Sequence, residues 1–166
     1  MELLVIRHAL AVERAEGASA ADDAARPLTS RGRRRFRDVV RGLQRLGFAT
    51  DRVLHSPWQR AVETADLLEP LVDDDLDDVR VATPHLAAPP RAELFALIAE
   101  RGARVALVGH EPWLGQLVAL LTVGAAEQGD TMPFRKGGVA WLEGSATPGG
   151  MQLRALLPPR VLRRIR

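Results

Sequence analysis

The sequence predicts a three-layer α/β/α sandwich around a mostly parallel sheet with at least one antiparallel strand. Three observations predict it. Short apolar runs at Leu3–Ile6 and 104–108 (RVALV) have the length and character of strands buried on both faces. Helical segments alternate with the early strands, which is the pattern of parallel crossovers. The last two β-type runs, 139–143 and 151–157, flank the glycine-bearing stretch Gly144–Gly150 and read as a closing hairpin.

The elements follow in order. After the first strand, a polar, alanine-rich stretch runs to Pro27 without a helical stripe and reads as a long loop, a class of segment that is often functional. A helix is expected from Ser30 to Leu46, because Phe36, Val39, Val40, Leu43 and Leu46 recur at spacings of three and four and Gly47 stops it. Arg52–His55 is a short strand. Pro57 opens a helix to Leu68, which Pro70 closes. Asp73–Asp78 (DDDLDD) reads as a solvated loop, and Val79–Val81 as an edge strand. Helices are expected over Ala92–Glu100 and from Pro112 to Leu121, where proline suits a first turn. Gly124–Gly137 is a loop, and the tail PPRVLRRIR a short basic helix.

Length and composition bound the function. At 166 residues the chain is read as one domain, 1–166, with a real core. Hydrophobic residues at 46% and charged residues at 27% mark a folded, soluble protein rather than a disordered one. No apolar run approaches the roughly 20 residues of a membrane span, and MELLVIRHAL lacks the form of a signal peptide, so the expected setting is the cytoplasm, away from membranes. With no cysteine, disulfides and thiolate chemistry are excluded. The isoelectric point near 10.2 sits beside a net charge of only +2. Lys136 is the one lysine, tyrosine is absent, and arginine supplies the remaining base, so little titrates above neutrality. Nucleic-acid binding is not read from that value, and the few aromatic residues argue against it.

Ligands of such sheets gather at the carboxyl ends of the strands. Three predicted strand ends carry chemistry: Arg7-His8; His55-Ser56-Pro57 with Arg60 a few residues on; and Gly109-His110-Glu111. If those strands are neighbours, two histidines and two arginines share one crevice. That set fits a phosphoryl group. Guanidinium forks match phosphate oxygens, arginine charge favours a neutral, nucleophilic imidazole, and the helix start after Pro112 presents the positive end of its dipole.

Arg7-His8-Ala9, Ser56-Pro57 with Arg60-Ala61 and Thr64-Ala65, and Gly109-His110 together resemble the histidine phosphatase superfamily, which includes phosphoglycerate mutase. Arg26-Pro27-Leu28-Thr29 with Gly32, 108–112 (VGHEP) and 136–140 (KGGVA) resemble its SixA branch of phosphohistidine phosphatases. The resemblance covers nearly the whole chain and implies a phosphoglycerate mutase-like fold. By it, His8 is the phosphorylated nucleophile, and Arg7, Arg60 and His110 form the phosphate pocket. Ser56 is a pocket-wall or capping residue that contributes to substrate binding. Glu13 and Glu111 are candidates for a general acid on position alone. A phosphohistidine substrate needs such an acid less, because its imidazole can leave already protonated. No metal or cofactor is expected, since arginines rather than carboxylate ligands accompany the histidines.

The expected substrate is phosphohistidine in a protein, or another phosphorylated molecule. A small-molecule or phosphoserine-type phosphomonoesterase and a non-catalytic phosphate-binding module are the alternatives. Too little chain lies between Val72 and Ala92 for a large cap, so the site is expected to be open and shallow. His55 is expected to be structural, and His85 to sit in a loop within possible reach of substrate. Trp58 and Trp113 are assigned either to the core or to the crevice mouth, and Trp141 to the core. Gly137-Gly138 is expected to permit close backbone approach. Arg31, Arg33, Arg34 and Arg35 form a solvated helix face or meet an acidic partner.

Overall fold

Strand β1 (Glu2–Arg7) lies inside a six-stranded sheet of order β3-β2-β4-β1-β5-β6. The computed structural model describes residues 1–100 and 102–165. The other strands are β2 (Arg52–His55), β3 (Arg80–Ala82), β4 (Arg104–Gly109), β5 (Val139–Gly144) and β6 (Met151–Leu157). Strands β3, β2, β4 and β1 run parallel, whereas β5 lies antiparallel to β1 and β6 antiparallel to β5. The closing hairpin is thus an antiparallel extension of a parallel sheet, as the sequence predicts.

The period-two alternation of the strands sorts their side chains between two layers. Leu4 and Ile6 of β1 point to one face with Val53, Ala106 and Val108; there they meet helix α2 (Ser30–Arg45), helix α3 (Gln59–Asp66) and the short α7 (Pro159–Leu162). Leu3 and Val5 point to the other face with Leu54, Val105 and Leu107, against helices α5 (Ala92–Ala99) and α6 (Trp113–Val123). Helix α2 starts where the Thr29 hydroxyl accepts the Gly32 N–H at 2.9 Å, and it is followed by Gly47 at φ +80°. Among the described residues, no helix is long and apolar enough to cross a membrane.

Several local expectations change. The stretch expected as a long loop contains a five-residue helix, α1 (Ala20–Ala24), opened by a capping box between Ser19 and Asp22. It is tied to the body by a bridge between Ala11 and Leu28. Part of the acidic run winds into one helical turn, α4 (Leu76–Val79), because the Asp75 side chain caps it at Asp77. The edge strand sits one residue later than expected. Residues 126–131 form a 3₁₀ segment within the expected loop and pack along α6. Helix α3 begins two residues after Pro57 and ends at Asp66, with a short 3₁₀ turn over Glu69–Leu71 beyond. The tail does form a short helix, and its final residue, Arg166, lies outside the described residues.

Candidate active site

Register places the three functional strand ends side by side. Arg7 pairs with Gly109 across β1 and β4, and His55 pairs with Val108 across β2 and β4. Just beyond the ladders, the His8 N–H bonds the Gly109 carbonyl at 3.1 Å, and the Ser56 N–H bonds the Val108 carbonyl at 2.9 Å. His8, His110 and Ser56 therefore sit on adjacent strand ends, and α3 swings Arg60 in above them.

The rings are close. His8 and His110 have centroids 5.0 Å apart, and the Arg60 Nε lies 3.3 Å from His8 Nε2. His8 Nδ1 lies 2.7 Å from the Ala9 carbonyl, an acceptor only, so Nδ1 carries the proton and Nε2 the lone pair. Burial holds the His8 imidazole down at about 3; the bond to Ala9 opposes this, and the charges of Arg60, Arg7 and Lys136 reinforce it. Burial likewise holds His110 at about 2, helped by His8, Arg60 and Arg7. Both rings are neutral at physiological pH. Desolvation, more than the arginine charge anticipated from the sequence, is the leading cause.

His110 Nε2 lies 2.8 Å from the Ser56 hydroxyl, which also accepts the Trp58 N–H at 3.2 Å. The remaining ring nitrogen, His110 Nδ1, is buried without a partner. Arg7 Nη1 donates to the Phe134 carbonyl at 2.5 Å, and Arg7 Nε is also buried and unpartnered. A buried donor left unmet, as Arg7 Nε is and as His110 Nδ1 is when the ring proton sits there, is rare in folded proteins and calls for an acceptor. Two such donors, beside a nucleophilic nitrogen and a guanidinium, fit an oxyanion such as a phosphoryl group. Among the described residues no three His, Asp or Glu side chains converge as a metal-ligand set.

The general-acid candidates face cations at the edge of this cluster, Glu111 favouring the charge of Arg7. Glu111 accepts the Phe134 N–H at 2.8 Å and the Gly115 N–H at 3.1 Å, one through each carboxylate oxygen. It thereby fixes the segment whose carbonyl grips Arg7. Glu13 is exposed and favours the charge of Lys136.

Other assignments resolve geometrically. Trp58 stands 4.4 Å from the His110 ring and 4.5 Å from the Arg60 guanidinium carbon, with Trp113 at 6.0 Å from Trp58. Both indoles are half-buried and wall the site rather than fill the core. Trp141 is half-buried and meets Phe48 edge-on at 5.1 Å. His55 is buried and turns Nδ1 toward the Ser56 carbonyl. His85 lies in a small cleft with Leu86, Pro90 and Trp113. Gly137 and Gly138 bring the backbone onto β1: the Gly137 N–H bonds the carbonyls of Arg7 and His8, and the Gly138 carbonyl accepts the Arg7 N–H.

The site is not shallow. His8, Arg60 and His110 are exposed by only 5%, 3% and 3%. The cover comes from the 12–27 segment, where Asp23 of α1 takes Arg60 Nη1 on its backbone carbonyl at 2.5 Å and Nη2 on its carboxylate at 3.3 Å. Arg26 binds the other oxygen of the same carboxylate at 2.9 Å. Sequence reasoning missed Asp23 and Glu63, and it quoted Thr64 in a motif without giving it a role. Thr64 accepts the Ala9 N–H at 3.0 Å, and the buried Glu63 accepts the Leu28 N–H at 2.7 Å, so α3 holds both flanks of the loop. The serine three residues before Asp22 was a readable cap signal for the helix that carries Asp23.

Known proteins resemble this chain in sequence and in fold. Residues 3–81 match the histidine phosphatase superfamily (branch 1). An uncharacterized protein of Picosynechococcus is 35% identical over 153 residues, covering 88% of this chain and 87% of that protein. The superfamily match spans Arg7, His8, Ser56 and Arg60, and over those residues the chain is similar to histidine phosphatases. Among solved structures, the protein histidine phosphatase SixA complexed with tungstate matches with a TM-score of 0.77 and 26% identity, over 98% of this chain and 99% of that one. The alpha-ribazole phosphatase of Shigella flexneri shares the fold at a TM-score of 0.73 and 19% identity, over 96% and 97% of the two chains. The phosphoglycerate mutase-like sandwich and a phosphatase activity are what these likenesses support.

Proposed function

We propose that the protein is a phosphatase that takes a phosphoryl group onto His8 Nε2 and passes it to water, with phosphohistidine in a protein as preferred substrate. One observation carries this reading: Ala9 fixes the His8 proton on Nδ1, leaving the Nε2 lone pair beside Arg60 and near the unpartnered donors of Arg7 and His110. In the first step the Nε2–P bond forms and the bond from phosphorus to the leaving nitrogen breaks, its electron pair going to that nitrogen. In the second, water attacks phosphorus, Nε2 recovers its lone pair, and the water proton leaves with inorganic phosphate. Arg7, Arg60 and His110 neutralise the phosphoryl oxygens through both steps. The incoming oxygens replace His8 Nε2 as the acceptor for Arg60 Nε.

A phosphohistidine whose other ring nitrogen carries a proton departs as neutral imidazole, so no carboxylic acid is needed. Glu111, with both oxygens on backbone N–H groups, acts as a strut for the Arg7 pocket. The route uses only these side chains and calls on no metal or cofactor. The likeness to SixA supports a protein substrate. The same reading takes 1–166 as one catalytic domain working in the cytoplasm.

Hydrolysis of an aryl phosphate by wild type and His8→Ala tests the nucleophile; unchanged turnover in the variant removes it. Rates on a phosphohistidine protein against a panel of phosphomonoesters test the substrate. Equal rates across the panel remove the phosphohistidine assignment.

A further inference from the structure

Arg35, Lys136 and Arg163 line one recess of about 140 Å³ whose inner wall includes Ala9, the residue after His8. Its apolar lining comes from Leu10, Phe36 and Pro159, and no carboxylate contributes. Two close approaches fix its walls. At Gly32 a Cβ would stand 2.1 Å from the Leu10 carbonyl, so α2 lies directly on the loop after His8. At Gly42 a Cβ would stand 2.2 Å from the Leu162 carbonyl, which seats α7 on α2 and holds Arg163 beside it. Lys136 stands at the inner end, since the next residue, Gly137, bonds the Arg7 and His8 carbonyls.

Among the described residues the cations here form no ion pair, and the one carboxylate that favours any of them at longer range is Glu13, acting on Lys136. Arg33, on the same helix, reaches Glu63 at 2.7 Å. By contrast, Arg35, Lys136 and Arg163, with Arg31 and Arg34 nearby on α2, reach no carboxylate within 4.0 Å among the described residues. Burial, then the charges of Arg31, Arg163 and Arg34, lowers the Arg35 pKa. Crowded like charges around a partly apolar recess are a standing demand for anions.

We propose that this recess docks an acidic stretch of a phosphorylated protein, its carboxylates on Arg35 and Arg163, while the phosphorylated side chain reaches His8. The proposal rests on the phosphatase reading above and deepens it, naming the kind of partner the site accepts. Guanidinium forks pair with carboxylates. The cations run from Lys136 at the seam out to Arg163, a layout that an extended flanking segment covers and a lone phosphate does not. A nucleic acid would want exposed rings for its bases, and the one aromatic ring in the recess, Phe36, is 1% exposed.

The test compares wild type with the double variant Arg35→Gln/Arg163→Gln and with Arg34→Glu, an exposed change on the same face. Substrates are a phosphohistidine peptide rich in Asp and Glu, its Ser/Gly-rich counterpart, and an aryl phosphate. With two surface ion pairs removed, kcat/KM for the acidic peptide is expected to fall about fivefold to tenfold at low salt, with unchanged rates on the other two substrates. Added salt should erase the difference. Binding without turnover is read by anisotropy of a labelled, unphosphorylated Glu-rich peptide, beside a single-stranded DNA of equal charge. Equal losses on all three substrates, undiminished peptide binding by both variants, or tighter binding of the DNA would overturn the proposal. Peptide binding that the variants lose, in a protein that hydrolyses neither peptide, would sink the phosphatase reading and leave the docking recess standing.

Discussion

Asp23 holds Arg60 at two points, through its backbone carbonyl and its carboxylate, and shares that carboxylate with Arg26. Arg60 is thus aimed at His8 by a five-residue helix outside the sheet. Removing the guanidinium with Arg60→Ala should lower kcat on an aryl phosphate about a hundredfold, the scale of losing one transition-state donor. Asp23→Asn keeps the backbone contact and drops the charge. Its expected loss is smaller, about threefold to tenfold, and falls mainly on KM as Arg60 loosens. Kinetics of Asp23→Asn indistinguishable from wild type would show that the backbone carbonyl suffices.

Ser56 sets the tautomer of His110. Its hydroxyl oxygen accepts the Trp58 N–H, and the expected arrangement turns its proton to His110 Nε2 and leaves the ring proton on Nδ1. Ser56→Ala should cost about tenfold in kcat/KM, or about 1.4 kcal/mol. Nitrogen NMR should show His110 shifting from one tautomer to a mixture. An unchanged spectrum would count against this role even if the rate fell.

The buried histidines make stability depend on acid. His8 near 3 and His110 near 2 are both depressed, first by burial, from the ordinary 6.5. Below about 6.5 the unfolded chain takes up protons that the native chain refuses, so stability falls as pH falls through that window. His55, also lowered by burial, acts in the same direction. Urea melts should show up to about 1.4 kcal/mol lost per pH unit per histidine between about pH 6 and 4. His8→Gln should flatten the slope. A wild-type profile level from pH 7 to 5 would contradict the burial of these rings.

Two glycines are packing contacts rather than hinges. Gly32→Ala and Gly42→Ala place a methyl on the Leu10 and Leu162 carbonyls respectively. Overpacking at each should cost about 1–3 kcal/mol, despite the better helix propensity of alanine. Thermal melts measure this, and a raised Tm in either variant would mean that the approach is looser than described.

The chemistry-bearing strand ends were legible because each rests on a strong local signal. Apolar runs define β1 and β4, and the residues that follow them are polar and unusual: Arg7-His8 and Gly109-His110. Convergence needed only the order β2-β4-β1, which parallel crossovers favour. Asp23 was illegible for a physical reason. Helix α1 buries no residue and carries no apolar stripe, so it has no periodicity to read, and its hold on Arg60 spans 37 positions of sequence. The depth of the site was misjudged for the same cause, because the cover is polar and local rather than an inserted cap. The arginines of α2 were visible as a run, but only the seating of α7 against Gly42 reveals which of them share a recess with Lys136 and Arg163.

Strand β1 is bonded on both sides, to β4 in parallel and to β5 antiparallel. The backbone carrying His8 therefore cannot yield without breaking two ladders, whereas the α1 segment is anchored by one bridge and a few side chains. For an engineer, the placing of His8 and the covering of the site are separable only if the hold of Asp23 on Arg60 is kept. Exchanging residues 12–27 for those of a relative, with Asp23 retained, is the graft that would alter which molecules are admitted while His8 stays where the sheet puts it.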